Sequence, residues 1–303
     1  MKILITGASG MLGRAIFKKF NSSCPEDQII GLSFSRGHNQ LKSLDLCHRE
    51  STEKFLIDLR PDLIVHCAAI RHPETCENDH ETTDALNINA SLALANYCKA
   101  HGIPLIYIST DYVFPGDAPP YNEDSMTKPL NYYGMSKLKG EQVVRESGCV
   151  NTILRIPVLY GEVECIDESA ITVIAKSLFN NESKTFIDNW AARYPTHVED
   201  VAEVVLKIVN RHRSGDSSIS GVLHYSGDEK FTKYEIAKII GNAFRLDHAH
   251  LVPVNDAPSG PPRPKNTNLD HSKLKQLGID SQRSFEAAIQ SVLKPHMANF
   301  ITH

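Results

Sequence analysis

Tyr133 and Lys137 stand four residues apart in NYYGMSKLKGEQVV, a stretch whose composition suits a helix. On a helix that spacing puts a phenol and an ammonium on one face. The positive charge lowers the pKa of a neighbouring phenol, which makes Tyr133 a general acid usable near neutral pH. Lys137 can also hold the ribose hydroxyls of a nucleotide. Upstream, IST ends in Ser109 and Thr110, hydroxyls suited to polarising a substrate carbonyl. Thr110, Tyr133 and Lys137 are therefore the candidates for catalysis of a hydride transfer. A Tyr-x-x-x-Lys pair is weak by itself, since an exposed helix face produces it by chance. Its weight comes from what precedes it in the chain.

What precedes it is TGASGMLG, which places Gly7, Gly10 and Gly13 directly after the strand-like KILIT and at the mouth of the amphipathic segment LGRAIFKKF. In such a turn Gly7 permits the tight bend and Gly10 lets the backbone approach a pyrophosphate. Gly13 allows the helix to pack closely on the strand. The helix N-terminus adds unpaired N–H groups and a positive dipole end. A site selective for NAD usually carries an acid at the end of the second strand, to bond the ribose 2′-hydroxyl. Here that region reads Gly31-Leu32-Ser33-Phe34-Ser35-Arg36, with no acid. Ser35 and Arg36 suit a 2′-phosphate instead, so the expected cofactor is NADP(H).

The elements that must position these residues follow from apolar periodicity. KILIT (2–6), QIIGLSF (28–34), DLIVHCA (62–68), PLIYIST (104–110) and NTILRI (151–156) are nearly continuous apolar runs. Such runs fit parallel strands covered on both faces. Helical stretches alternate with them, among them STEKFLIDL and TTDALNINASLALANYCKA. The expected fold is α/β, a doubly wound parallel sheet of the Rossmann type with right-handed crossovers. Beyond residue 160, ESAITVIAKSLF, VEDVAEVVLKIVNRH and KYEIAKIIGNAF read as helices, GVLHYSG as a strand and APSGPPRPKN as an extended loop. The division expected is a dinucleotide-binding domain over 1–160, with 196–226 returning to it. A smaller substrate- or partner-side lobe over 161–303 would cap the carboxyl ends of the sheet, where ligands bind in open α/β folds.

Composition sets bounds. The 303 residues are 41% hydrophobic and 22% charged, with a net charge of −4. That balance gives no electrostatic reason to expect nucleic acid or an anionic membrane, and no run is long and apolar enough to span a bilayer. The seven cysteines are scattered with no C-x-x-C pair, which fits a reducing compartment. The fourteen histidines form no H-E-x-x-H or comparable cluster, so no metal is expected. Met1 leads straight into KILIT, leaving no room for a leader peptide on this reading. A cytoplasmic location is expected, with the nucleus also open.

TGASGMLG, STDYVF, YGMSK and LRIPVLYG together resemble the extended short-chain dehydrogenases of the dTDP-4-dehydrorhamnose reductase group. Within that group, five further strings are similar to the family of regulatory β subunits of methionine adenosyltransferase II. They are HCAAIRHPETCEN (66–78), RIPVLYGEVE (155–164), ESAITV (168–173), RYPTHVEDVA (193–202) and TKYEIA (232–237). The resemblance implies a phosphate turn at Ser9, Gly10, Met11 and Leu12, and contacts to the adenosine phosphate from Phe34, Ser35 and Arg36. It implies an adenine-side pair at Asp45 and Leu46, Cys67 and Arg71 beside the strand DLIVHCA, and Tyr133 and Leu159 at the nicotinamide end. Ser35 departs from the regulatory subunits, which carry a second arginine there. Thr110 departs too: it is serine in those subunits and threonine in the reductases. FEAAIQSVLKPH reads as the last helix and MANFITH as a short tail after it; the resemblance implies a partner, the methionine adenosyltransferase catalytic subunit, with that tail as a contact. The alternative is an NADPH-dependent reductase of a nucleotide-linked 4-keto sugar.

Overall fold

The computed structural model describes residues 1–34, 40–179 and 183–301, with side chains through Met297. Ser35 and Arg36 lie outside the described residues. In chain order the first half runs β1 (Lys2–Thr6), α1 (Met11–Ser23), β2 (Gln28–Ser33), β3 (Lys42–Ser43), α2 (Arg49–Leu59) and β4 (Leu63–His66). It continues through α3 (Pro73–Asn78), α4 (His80–Asp84), α5 (Ser91–His101), β5 (Leu105–Thr110), α6 (Tyr132–Glu146) and β6 (Asn151–Ile156). The second half holds β7 (Leu159–Tyr160), β8 (Thr185–Asp188), β9 (Thr196–His197), α7 (Val198–Arg213) and β10 (Gly221–His224). Then come α8 (Lys233–Phe244), β11 (Leu251–Val254), α9 (Ser272–Gln276) and α10 (Phe285–Ile301).

Seven strands form one parallel sheet in the spatial order β3–β2–β1–β4–β5–β6–β10. Its central strands are apolar along their whole length because both faces are covered: Ile3, Leu4 and Ile5 of β1 are fully buried, and all six residues of β5 are buried. On one face Ile3 and Ile5 meet Ile16 and Phe20 of α1 and Val201 and Val205 of α7. On the other, Leu4 and Tyr107 meet Leu56 of α2 and Leu94 of α5. This is a doubly wound, Rossmann-type sheet. The segment 196–226 supplies α7, packed on α1, and β10, paired with β6 at the sheet edge.

A third core gathers Ile171, Ile174 and Leu178, Ile236 and Ile240 of α8, and Phe285, Ile289, Leu293 and Met297 of α10. Here two expectations need correcting. ESAITVIAKSLF (168–179) is not an α-helix: Glu168 ends a 3₁₀ segment, Ile166–Glu168, and Thr172–Leu178 forms a second one. The run is rich in β-branched residues, and the Thr172 hydroxyl donates back to the Ile166 carbonyl at 2.7 Å, a local bond that competes with helix. Nor does a tail begin at Met297. Phe285, Ile289, Leu293 and Met297 recur every fourth residue as one buried stripe, and α10 continues to Ile301.

The stretch TTDALNINASLALANYCKA is helical throughout but not uniform. Between α4 and α5 a π-helical turn spans Ala85–Ala90. Its buried Asn87 accepts from Ile70 N at 2.8 Å and donates to Ile70 O at 2.9 Å and to Ser136 Oγ at 2.9 Å. The extra residue in that turn aims one amide at the loop after β4 and at α6 together, a use to which π turns are often put.

Candidate functional site

The close approaches in the loop from β1 into α1 are made by glycine backbone. Gly7 has φ +64°, and a Cβ there would lie 2.7 Å from Ala68 N. A Cβ on Gly13 would sit 2.1 Å from the Gly7 carbonyl oxygen, so the helix can pack this close only with glycine. Gly10 is the N-cap of α1; no side chain caps the helix, and its first turn holds no acid. The first N–H groups and the positive end of the dipole are thus available to an anion.

A groove of about 1000 Å³ runs from this turn along the carboxyl ends of β1, β2, β4, β5 and β6. Gly7, Ser9, Gly10, Met11, Leu12 and Gly13 line its phosphate end. Phe34, 67% exposed, stands with Asp45 and Leu46 at the side of β2. Cys67 and Arg71 line the middle, and Thr110, Tyr133, Lys137 and Leu159 the far end. Every described residue expected from the sequence therefore falls on one groove.

The far end differs in character. Lys137 is buried, its Nζ 4.0 Å from the centroid of the Tyr107 ring. Burial pulls its pKa down to about 7, with Glu141 and Cys67 opposing the fall. The Tyr133 phenol is not lowered as the sequence suggests. Burial holds it well above its ordinary value and outweighs a hydrogen bond with Thr110, while Asp111 pushes it further up. The Thr110 hydroxyl donates to Asp111 Oδ1 at 3.2 Å, and Thr267 donates to the other Asp111 oxygen. Burial raises Asp111 to about 6 against the pull of those bonds and of Arg193. Tyr133, Thr110, Asp111 and Thr267 so form one chain of polar groups across the groove's end.

Ser109 also lines the groove, but its hydroxyl proton is already engaged. Its hydroxyl donates to Glu141 Oε1 at 2.5 Å, and Arg155 grips the same carboxylate through Nε at 2.9 Å and Nη2 at 2.6 Å. Arg155 Nη1 reaches His224 Nε2 at 3.3 Å, and His224 Nδ1 meets the Tyr121 carbonyl at 3.2 Å. Burial and then Arg155 drive His224 down to about 3, so it is neutral. This chain ties α6, which carries Tyr133 and Lys137, to β5, β6 and β10. His66 is likewise neutral, lowered to about 3 by burial and bonded to Thr6 at 2.7 Å and Ser91 at 3.1 Å. Burial pushes the Cys67 thiol up to about 12, so it remains protonated and lines the groove without acting as a nucleophile.

Asn87, Glu141 and Arg155 were not anticipated. Two had a readable signal: Glu141 lies four residues after Lys137, on the same helix face, and Arg155 is a charge inside an otherwise apolar strand.

Comparison with known proteins places the chain. The RmlD substrate binding domain family matches residues 1–298. A mouse (Mus musculus) protein named methionine adenosyltransferase 2 subunit beta is 45% identical over 298 residues, covering 98% of this chain and 88% of that protein. A Streptomyces antibioticus protein, a probable dTDP-4,6-dihydroxy-2-methyloxan-3-one 4-ketoreductase, is 30% identical over 98% of this chain and 96% of its own length. Among solved structures, dTDP-4-dehydrorhamnose reductase from Bacillus anthracis in complex with NADP superimposes with a TM-score of 0.81 at 27% identity, covering 97% of this chain and 98% of that one.

Proposed function

Because the chain belongs to the family of methionine adenosyltransferase 2 β subunits, within the RmlD group, we propose that it is an NADP(H)-binding regulatory subunit that associates with the methionine adenosyltransferase catalytic subunit. The observation that carries the cofactor half of this reading is the phosphate turn, with its uncapped α1 N-terminus opening on a groove lined by every described candidate residue. The residues fit a dinucleotide: Ser9 to Leu12 would hold the pyrophosphate, Phe34, Asp45 and Leu46 the adenosine, and Tyr133, Lys137 and Leu159 the nicotinamide riboside. Arg36, by its sequence position, would take the 2′-phosphate. The association half rests on near-full-length identity to the mouse β subunit.

A second reading is favoured by Thr110, Tyr133 and Lys137 lining one end of that groove. In an NADPH-dependent reductase of a nucleotide-linked 4-keto sugar, the cofactor would supply a hydride. The Tyr133 phenol, protonated in this environment, would give its proton to the carbonyl oxygen, with Thr110 orienting it.

Size-exclusion chromatography with light scattering tests the regulatory reading on mixtures of the full chain with the catalytic subunit. Co-elution at micromolar concentration is expected. By its sequence the end of the chain offers Phe300 and Ile301, and two such side chains seated in a partner contribute roughly 3–5 kcal/mol before ordering costs. Removing residues 298–303, which spares the buried Met297, should weaken the complex while leaving the melting temperature nearly unchanged. Failure of the full chain to co-elute would defeat the regulatory reading. Turnover of a keto-sugar nucleotide that Tyr133→Phe abolishes would establish the reductase.

A further inference from the structure

Part of the groove's wall comes from the segment after β7. Asp167, Ser169, Ala170 and Val173 line the groove together with Ser9 to Leu12, and the Ser169 hydroxyl donates to the Leu159 carbonyl at 2.8 Å. Glu168, in the middle of that segment, turns away from the groove into a buried pairing, and its carboxylate is only 3% exposed. It receives two hydrogen bonds from Arg14, from Nη1 at 2.8 Å and Nη2 at 2.6 Å. Arg14 lies in the first turn of α1, and its Nη1 also donates to the Ser9 carbonyl at 2.7 Å. One guanidinium thus joins the phosphate turn to this wall. From the loop after β4, Arg71 Nη2 donates to the Glu168 carbonyl at 2.7 Å.

Two arginines of the sheet-bearing half therefore converge on one residue of that wall. The rest of that wall is anchored in the other half of the molecule: Ile171, Ile174 and Leu178 are buried among residues of α8 and α10. We propose that residues 162–173 form a strap latched over the phosphate half of the groove by Glu168, so that the dinucleotide enters and leaves only when the Arg14–Glu168–Arg71 clasp opens. The proposal rests on the reading of the groove as a dinucleotide site and assigns that site a gate.

Two features of the pairing make it a latch rather than ornament. It is bidentate, and its carboxylate is only 3% exposed while Arg14 is 23% exposed, so each opening must rehydrate a buried carboxylate. By contrast the nearby pair Lys18–Glu162, 3.2 Å apart, is 74% and 77% exposed, and such a pair exchanges with water at little cost. The clasp also holds the Ser9 carbonyl, so its opening releases the phosphate turn and the strap in one event. A cofactor gated this way exchanges slowly in both directions, which suits a subunit that keeps its ligand in place.

The test is stopped-flow fluorescence of NADPH binding to the full chain, comparing wild type, Glu168→Gln and, as a control on the exposed pair at the start of the strap, Lys18→Ala. The latch predicts that Glu168→Gln speeds association and dissociation alike, each by about tenfold or more, while the dissociation constant moves much less. Lys18→Ala should leave both rates unchanged. Should Glu168→Gln fail to give a cooperative melt, Glu168→Asp, which keeps the charge and shortens its reach, carries the same expectation. Rates unaltered by either variant would overturn the latch. Faster dissociation with unchanged association would overturn it too, since Glu168 would then merely stabilise the bound state. A wild-type chain that binds no NADPH would overturn the dinucleotide reading itself, and that result is distinct from normal binding with unaltered rates.

Discussion

The two ends of the groove are made of different materials. At the phosphate end the geometry is set by backbone: glycines at positions 7 and 13 and a helix start without a capping side chain. At the far end it is set by buried polar side chains whose ionisation is displaced, with Asp111 raised to about 6 and Lys137 lowered to about 7. Backbone N–H groups and a helix dipole do not depend on protonation or on any partner's rotamer. The far end depends on both. A scaffold of this kind can therefore hold its dinucleotide whatever becomes of the chemistry beside the nicotinamide, which is what a regulatory use of a reductase fold requires.

That contrast can be broken most forcefully at Gly13. Its Cβ would meet the Gly7 carbonyl oxygen at 2.1 Å, a backbone atom that no side-chain rotation can clear. Gly13→Val should cost about 3 kcal/mol or more of stability and abolish the rise in melting temperature on adding NADPH, both read in one thermal-shift series. At the far end, Glu141→Ala strands the buried Arg155 guanidinium, an error worth about 3–5 kcal/mol in urea unfolding. Replacing both, Glu141→Leu with Arg155→Met, should recover much of that loss. If the single variant unfolds no more readily than wild type, the chain from Ser109 to His224 is not what holds α6 in place.

A smaller effect, with a pH signature, belongs to Asp111. Its carboxyl binds a proton more readily in the folded chain than in the unfolded one. Between about pH 4 and 6 the native state therefore holds the extra proton, and this group's contribution to stability falls as pH rises through that window. Above it the native state bears the whole cost of a buried charge. Asp111→Asn keeps an acceptor for Thr267 and removes the charge. It should raise stability at pH 8 by roughly 1–3 kcal/mol and change it little at pH 4. Equal effects at the two pH values would show that Asp111 is not raised in the folded chain.

The same contrast explains what was legible in the sequence. β1 and β6 fall on the expected residues, and β2, β4 and β5 within a residue or two, because strands covered on both faces must be apolar throughout. The phosphate turn was readable because its chemistry is local, compressed into eight residues. The far-end network was not, since its bonds join residues far apart in the chain, Ser109 to Glu141 and Asp111 to Thr267; the pair Arg14–Glu168 beside the phosphate turn was hidden for the same reason. The strands β3, β7, β8, β9 and β11 run two to four residues each, too short to show a period. The end of α10 was misjudged because Lys294, Pro295 and His296 interrupt the apolar pattern just before Met297 resumes it.

The most direct measurement is a fluorescence titration of NADPH and of NADH into the wild-type chain and into Tyr133→Phe. If the phosphate end carries binding, one NADPH binds per chain, about tenfold or more tighter than NADH because of the charge-assisted contact to its extra phosphate. Tyr133→Phe should keep the NADPH dissociation constant within about threefold of wild type, since only a phenolic oxygen is removed. Equal affinity for the two cofactors, or binding that vanishes with the phenol, would contradict the account.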